Sequence, residues 1–277
     1  FYSFINKENK NQLQSVGMVI LSLTCLSLVP YMLNESNRIL QSIGLILISS
    51  LLLYVSIGVM KETFGVRYTS KLIAVTLTVF LSVYTVDFIQ QYLITMTARD
   101  TVFLLSLTGF EAEIIQNEMG TFINFPSAEE PLKTRIITAC TGIGTISVFV
   151  GLITSFKQLT ARQKILLSFV VGCLIYSLNA FRNFFISASY GYQMLHIAPS
   201  VVEIIFGRGD EWVSYYIADR IISQIGSLLF ITYLGYILMD RYDSELIDEW
   251  KDILSELKAG VTKRKNQVMN VLQAYRQ

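Results

Sequence analysis

Residues 39–60 read ILQSIGLILISSLLLYVSIGVM, 22 consecutive positions without an Asp, Glu, Lys or Arg. A helix rises 1.5 Å per residue, so about 20 apolar residues cross the roughly 30 Å of hydrocarbon in a bilayer. This stretch passes that test, and five others do too. The six run from about Leu13 to Leu33, Ile39 to Met60, Leu72 to Ile94, Ile136 to Phe156, Ile165 to Ser187 and Val213 to Met239. Composition agrees: 52% of the 277 residues are hydrophobic and only 16% charged, too apolar for a soluble domain of this length. The expected fold is an all-α polytopic membrane protein with about six transmembrane helices.

Lysine and arginine set the expected orientation, because positively charged short loops stay on the cytoplasmic side. With the N-terminus inside, the inner set holds Lys7, Lys10, Lys61, Arg67, Lys71, Lys157, Arg162 and Lys164, followed by a basic tail. The outer loops hold Arg38, Arg99, Lys133, Arg135 and Arg208. Both termini are therefore expected in the cytoplasm. The first apolar segment has no small-residue cleavage site and reads as a spanning helix rather than a leader.

The two longest connections, about 96–135 and about 188–212, fall on the outer side. The first mixes Gly109, Gly120, Pro126 and Pro131 with short apolar pieces and several glutamates, and reads as a small extracellular cap with a short helix or hairpin. The second contains Ile197–Phe206, apolar but too short to span, which suits an interfacial or re-entrant segment. Residues 1–239 thus form the transmembrane domain. Residues 240–277 read as a cytoplasmic amphipathic helix, with Leu246, Ile247, Trp250, Ile253, Leu254, Leu257 and Val261 at helical spacing.

Several chemistries find no support. The three cysteines Cys25, Cys140 and Cys173 are odd in number and all lie in apolar stretches, so they are not a disulfide framework. The single histidine, His196, has no partner at metal-ligand spacing, and no glycine-rich phosphate loop or nucleophilic-serine elbow occurs. No cofactor, metal or nucleic-acid partner is expected. What remains are ionisable groups within apolar spans, which are functional candidates by default. They are Arg182, Arg220, Asp219 beside it, and Asp87 in the third span.

Depth can be read from helical rise. Counting from the outer end of each expected span, Cys140, Arg182 and Arg220 all fall roughly 5–10 Å below the outer surface. Polar neighbours recur on the same faces: Asn179 and Asn183 around Arg182, and Tyr216, Ser223, Gln224 and Ser227 around Arg220. Cys25 and Cys173 read as small hydrophobes. Cys140 differs because a reactive thiolate in an apolar setting needs positive charge nearby, and the two arginines supply it. Its setting, Thr138-Ala139-Cys140-Thr141-Gly142-Ile143-Gly144-Thr145, carries two glycines that let another backbone approach the sulfur.

The segments Thr138-Ala139-Cys140-Thr141-Gly142-Ile143-Gly144, Phe181-Arg182-Asn183 and Ala218-Asp219-Arg220 together resemble the archaeosortase and exosortase family, the archaeosortase A type most. The resemblance covers about residues 137–227. It implies a membrane-embedded cysteine transpeptidase with Cys140 as nucleophile and Arg182 and Arg220 as its basic partners. The third basic residue is histidine in many exosortases and arginine in archaeosortase A, which Arg220 matches. The implied partners are secreted or surface proteins with a C-terminal PGF-CTERM-like signal (a Pro-Gly-Phe-like motif, a transmembrane helix and a basic tail) and a membrane phospholipid as acceptor. The implied location is an archaeal cell membrane, with the site facing outward. The near balance of acidic and basic residues points away from a halophile's protein.

In that reaction the Cys140 thiolate attacks the scissile carbonyl to form a thioester, and a lipid headgroup resolves it. One arginine lowers the thiol pKa and the other stabilises the oxyanion. Guanidinium does not deprotonate, so the proton donor is another group: the thiol itself, Tyr215, Tyr216 or ordered water, with His196 outside the matching motifs. The contrasting readings are a transporter or channel that binds an anion through Arg182 and Arg220, and a bacterial exosortase acting on exopolysaccharide-associated proteins, whose expected histidine is absent.

Overall fold

The computed structural model describes residues 7–34, 39–60, 66–126, 132–207 and 209–242. Helices α1 (Lys7–Asn34) and α2 (Ile39–Met60) lie antiparallel against each other. Their contact is a ladder of serines seven residues apart. Ser15 bonds Ser56 at 2.7 Å and Ser22 bonds Ser49 at 2.6 Å, all four buried. In lipid no hydrophobic force pulls helices together, so small hydroxyl residues that permit close approach and pair across the interface supply the contact.

Helices α3 (Val66–Thr85) and α4 (Asp87–Leu107) meet at Val86, where the chain turns by 87°. Asp87 opens α4 as a first-turn acid, where the helix dipole favours it. Helix α3 packs closely on α5 (Ile143–Ser155): a side chain at Gly151 would sit 2.2 Å from Thr76 Oγ1. At the far end of α5, the Thr154 carbonyl accepts bonds from Lys71 Nζ at 2.7 Å and Lys164 Nζ at 2.9 Å.

Between α4 and α5 lies an antiparallel sheet, β1 (Glu113–Asn117), β2 (Gly120–Phe125) and β3 (Leu132–Ile136), with β2 central. The β1–β2 turn is Glu118-Met119, held by the Met119 amide donating to Asn117 Oδ1, with Gly120 at φ 129°. Ile123 and Phe125 are fully buried with Ile94, Ala98 and Leu105 of α4 and Ala188 of α6 (Ala161–Gly191). Helix α6 starts with a capping box between Thr160 and Gln163. It ends at Gly191, where a Cβ would stand 2.5 Å from the Phe125 ring. After α7 (Pro199–Phe206) and a 3-10 turn at Asp210–Trp212, α8 (Val213–Tyr216), a π-helical segment (Ile217–Ser223) and α9 (Gln224–Tyr242) form one span.

The chain is a mostly helical membrane protein, with differences from the expected layout. Among the described residues, Gln12–Pro30, Ala161–Gly191 and Asp210–Tyr242 are long and apolar enough to cross a bilayer, with a fourth if the bent α3–α4 pair is one span. The apolar windows Leu45–Met60 and Ile143–Ser155 are shorter. The expected third span, Leu72–Ile94, is not one helix but two, broken at Val86. The expected fourth, Ile136–Phe156, begins as the end of a strand and a 3-10 turn, because Gly142 at φ 75° stops a helix from starting earlier. The all-α reading also misses the sheet over residues 113–136. Residues 243–277 of the expected tail helix, and residues 127–131 of the expected cap, lie outside the described residues, as do the first six.

Candidate active site on the turn before α5

Cys140 sits on the 3-10 turn Thr138–Thr141, between β3 and α5. Extended backbone at Ile137 ends the strand, and the Cys140 amide closes back onto the Ile137 carbonyl at 2.8 Å. Thr141 Oγ1 donates to the Thr138 carbonyl at 2.7 Å, and Gln90 Nε2 of α4 donates to Thr138 Oγ1 at 2.6 Å. Gly142 then adopts the left-handed conformation that swings the chain into α5. Its missing side chain matters twice, since a Cβ there would lie 3.1 Å from Asn179 Cγ.

Asn179 and Asn183, one turn apart on α6, both donate through Nδ2 to the Cys140 carbonyl, at 2.5 and 2.7 Å. Both lone pairs of that carbonyl are thereby filled, and the cysteine's backbone is pinned to the face of α6 that also carries Arg182. Arg182 Nη2 in turn reaches Asp219 Oδ1 at 2.5 Å, while Arg220 Nε lies 3.4 Å from Asp219 Oδ2. Asp219 is 7% exposed and spans the two guanidiniums. It lies on the π-helical segment, a widened turn of a kind frequent at functional sites.

The two arginines are therefore not equivalent. Burial pushes the Cys140 thiol up, the Ile137 backbone and Arg182 pull it down, and Asp219 pushes it up again. Arg220 pairs with Asp219, and its charge also reaches Tyr215. Tyr215 lies within electrostatic reach of Asp219, Arg220 and Cys140, whereas the Tyr216 ring stacks on Phe206 with centroids 4.5 Å apart. Of the two tyrosines, Tyr215 is the one in electrostatic reach of the thiol.

The structure thus gathers Cys140, Arg182 and Arg220 into one cluster, linked by a carboxylate to which the sequence reading gave no role. The signal was present, since Asp219-Arg220 is an adjacent ion pair inside an apolar run. Asn179 and Asn183 were visible only as a polar stripe. His196 stands elsewhere, with Nε2 3.2 Å from Asp210 Oδ1 at the surface, and Asp87 is an exposed helix-opening acid. Cys25 lies in α1, and Cys173 is exposed on α6. Chemically, the cluster offers a thiol, a cation beside it, a carboxylate that holds that cation, and a phenol.

The sequence profile for transmembrane exosortases matches residues 2–215, more than three quarters of the chain. The match ends just before Asp219 and Arg220. Archaeosortase A of Haloferax volcanii is 32% identical over 160 residues, covering 57% of this chain and 52% of that protein. Archaeosortase A of Natronomonas pharaonis is 29% identical over 194 residues, covering 67% of this chain and 61% of that protein. The chain thus spans about half to three fifths of the length of these curated relatives. No solved structure matches. With the profile match covering more than three quarters of the chain, including the turn of Cys140 and helix α6, the chain belongs to the transmembrane exosortase family.

Proposed function

We propose that this protein is a membrane-embedded cysteine transpeptidase of the archaeosortase type, which cuts the C-terminal sorting signal of secreted proteins and transfers them to a membrane lipid at the outer face of an archaeal cell. The observation that carries this reading is the pinning of the Cys140 carbonyl by Asn179 and Asn183 on the face of α6 that bears Arg182, itself tied through Asp219 to Arg220. A nucleophile must be held in place against its partners, because small displacements of reacting groups cost large factors in rate.

In the reaction, the Cys140 sulfur attacks the carbonyl carbon of the scissile peptide. Arg182, whose charge acts on the thiol, favours the thiolate and stabilises the developing oxyanion. The C–N bond breaks and a C–S bond forms. Tyr215 passes its proton to the departing amine and takes the thiol's proton in exchange, which balances the step. A lipid headgroup hydroxyl or amine then attacks the thioester carbonyl, the C–S bond breaks, and the proton of the attacking group returns to sulfur. Domain roles follow the same reading, with the membrane helices receiving the substrate's own helix laterally and the sheet standing beside the cleavage point.

The transporter reading fares worse, because the position an anion would take between Arg182 and Arg220 is filled by the chain's own Asp219. The test is processing in cells of a secreted protein that carries the three-part signal. Cys140→Ala and Cys140→Ser are expected to leave it uncut and membrane-retained, and mass spectrometry of the wild-type product to show both the cut and the attached lipid. Normal processing by a correctly inserted Cys140→Ala chain refutes the assignment.

A further inference from the structure

A cavity of about 180 Å³ opens between α4, strands β2 and β3, and the turn that carries Cys140. Its polar lining comes from Gln90, Gln91, Thr121, Arg135 and Thr138. Arg135 extends across Gly120, where any Cβ would stand 3.2 Å from its Nε, so the glycine leaves the guanidinium its place. Among the described residues the ion pairs join Arg182 and Arg220 to Asp219 and His196 to Asp210; none involves Arg135. An arginine with no carboxylate partner among the described residues, beside two amide side chains and a hydroxyl, has the donors to hold a phosphate.

The surface beside it has the opposite character. On α4 Phe88, which lies one helical turn from the cavity residue Gln91, is 79% exposed, Tyr92 one turn further along is 57% exposed, and Ile137 of the lining is itself exposed. Helix α4 is also half of the bent pair that meets the length and hydropathy requirements for a membrane span. A phosphate alone has no use for such a border. An amphiphile with a phosphate head and hydrocarbon chains fits both parts.

We propose that this cavity seats the phosphate of an anionic phospholipid, with Arg135 as its cationic contact and the acyl or alkyl chains along the exposed face of α4. The position is next to the nucleophile: Thr138 and Ile137 line the cavity, Gln90 bonds Thr138, and the Cys140 amide bonds the Ile137 carbonyl. Its role as the acceptor's subsite rests on the reading of Cys140 as the catalytic thiol; the binding itself does not.

The test measures binding of a fluorescent short-chain phosphatidylglycerol to the full chain in detergent, in the Cys140→Ala background so that no turnover intervenes. Arg135→Gln is expected to weaken binding about tenfold, the worth of one charge-assisted contact, with Arg135→Lys restoring most of it. Gln91→Trp, at an exposed helix position, fills the cavity mouth while keeping Arg135 and is expected to block binding as well. Millimolar inorganic phosphate is expected not to displace the probe, nor is an uncharged diacylglycerol. Unchanged affinity in Arg135→Gln and Gln91→Trp overturns the inference, and so does displacement by inorganic phosphate, which marks a free-anion site. Because binding is read without the thiol, the result stands whether or not Cys140 proves to be the nucleophile.

Discussion

Replacing Gly142 by alanine tests whether the turn that presents Cys140 is held as described. At φ 75° an alanine pays the left-handed penalty, about 1–2 kcal/mol. Its Cβ would also stand 3.1 Å from Asn179 Cγ and 3.2 Å from Asn179 Cβ, forcing that side chain to shift. The shift breaks the Asn179 bond to the Cys140 carbonyl, worth about 1 kcal/mol, while the Asn183 bond survives. The expected loss is about 2–3 kcal/mol of stability, with signal cleavage slowed on the order of a hundredfold as the sulfur moves off its line of attack. In an Asn179→Ala background the contact with Cγ and the bond to be broken are both gone and only the 3.2 Å contact with Cβ remains, so Gly142→Ala should then cost little more than the backbone strain, leaving a coupling of about 1 kcal/mol between the two positions. The assay is unfolding by SDS titration in mixed micelles, read by alkylation of Cys140 with Cys25→Ser and Cys173→Ser removing the other thiols. A Gly142→Ala chain as stable as the parent, or costs that simply add, would show that the turn is not braced on Asn179.

Two further outcomes follow from the electrostatics of the site. Because burial holds the Cys140 thiol above its ordinary range, its alkylation by a neutral reagent should be slow at neutral pH and climb as pH rises. Asp219→Asn removes an anion that disfavours the thiolate and should move that profile to lower pH; Arg182→Gln removes the opposing cation and should move it higher, and superimposable profiles would refute the arrangement. His196→Ala, which loses only the surface contact with Asp210, should process substrate at the parent rate, and a large loss would reinstate the histidine as a proton carrier.

Much of the helical frame was legible because lipid imposes a length requirement that a sequence must meet locally. Residues 161–191 and 210–242 contain the expected fifth and sixth spans with a few extra residues at the ends, and helix α2 has the bounds Ile39–Met60 read from the sequence, although its apolar window is shorter than a span. The break at Val86 was not legible, since the apolar run continues through it; only Asp87, an acid suited to opening a helix, marks the place. The sheet was harder still. In β2 Thr121, Ile123, Asn124 and Phe125 are all buried, so the central strand lacks the alternation of a half-exposed one. The Glu118-Met119-Gly120 turn was its clearest trace.

The sequence by itself determined that this chain enters a membrane and that one cysteine and two arginines stand out against an apolar background, because burial of charge in lipid is costly enough to be conspicuous in any single segment. It also carried the family, through short motifs around those residues. Only the tertiary structure decided how they are used. Asp219 binds both arginines because the π-helical segment is packed on α6, and Asn179 and Asn183 reach the Cys140 carbonyl because Gly142 lets the turn lie flat on the same helix. Those contacts join residues some forty positions apart. Their geometry depends on how whole elements pack, which no local pattern encodes.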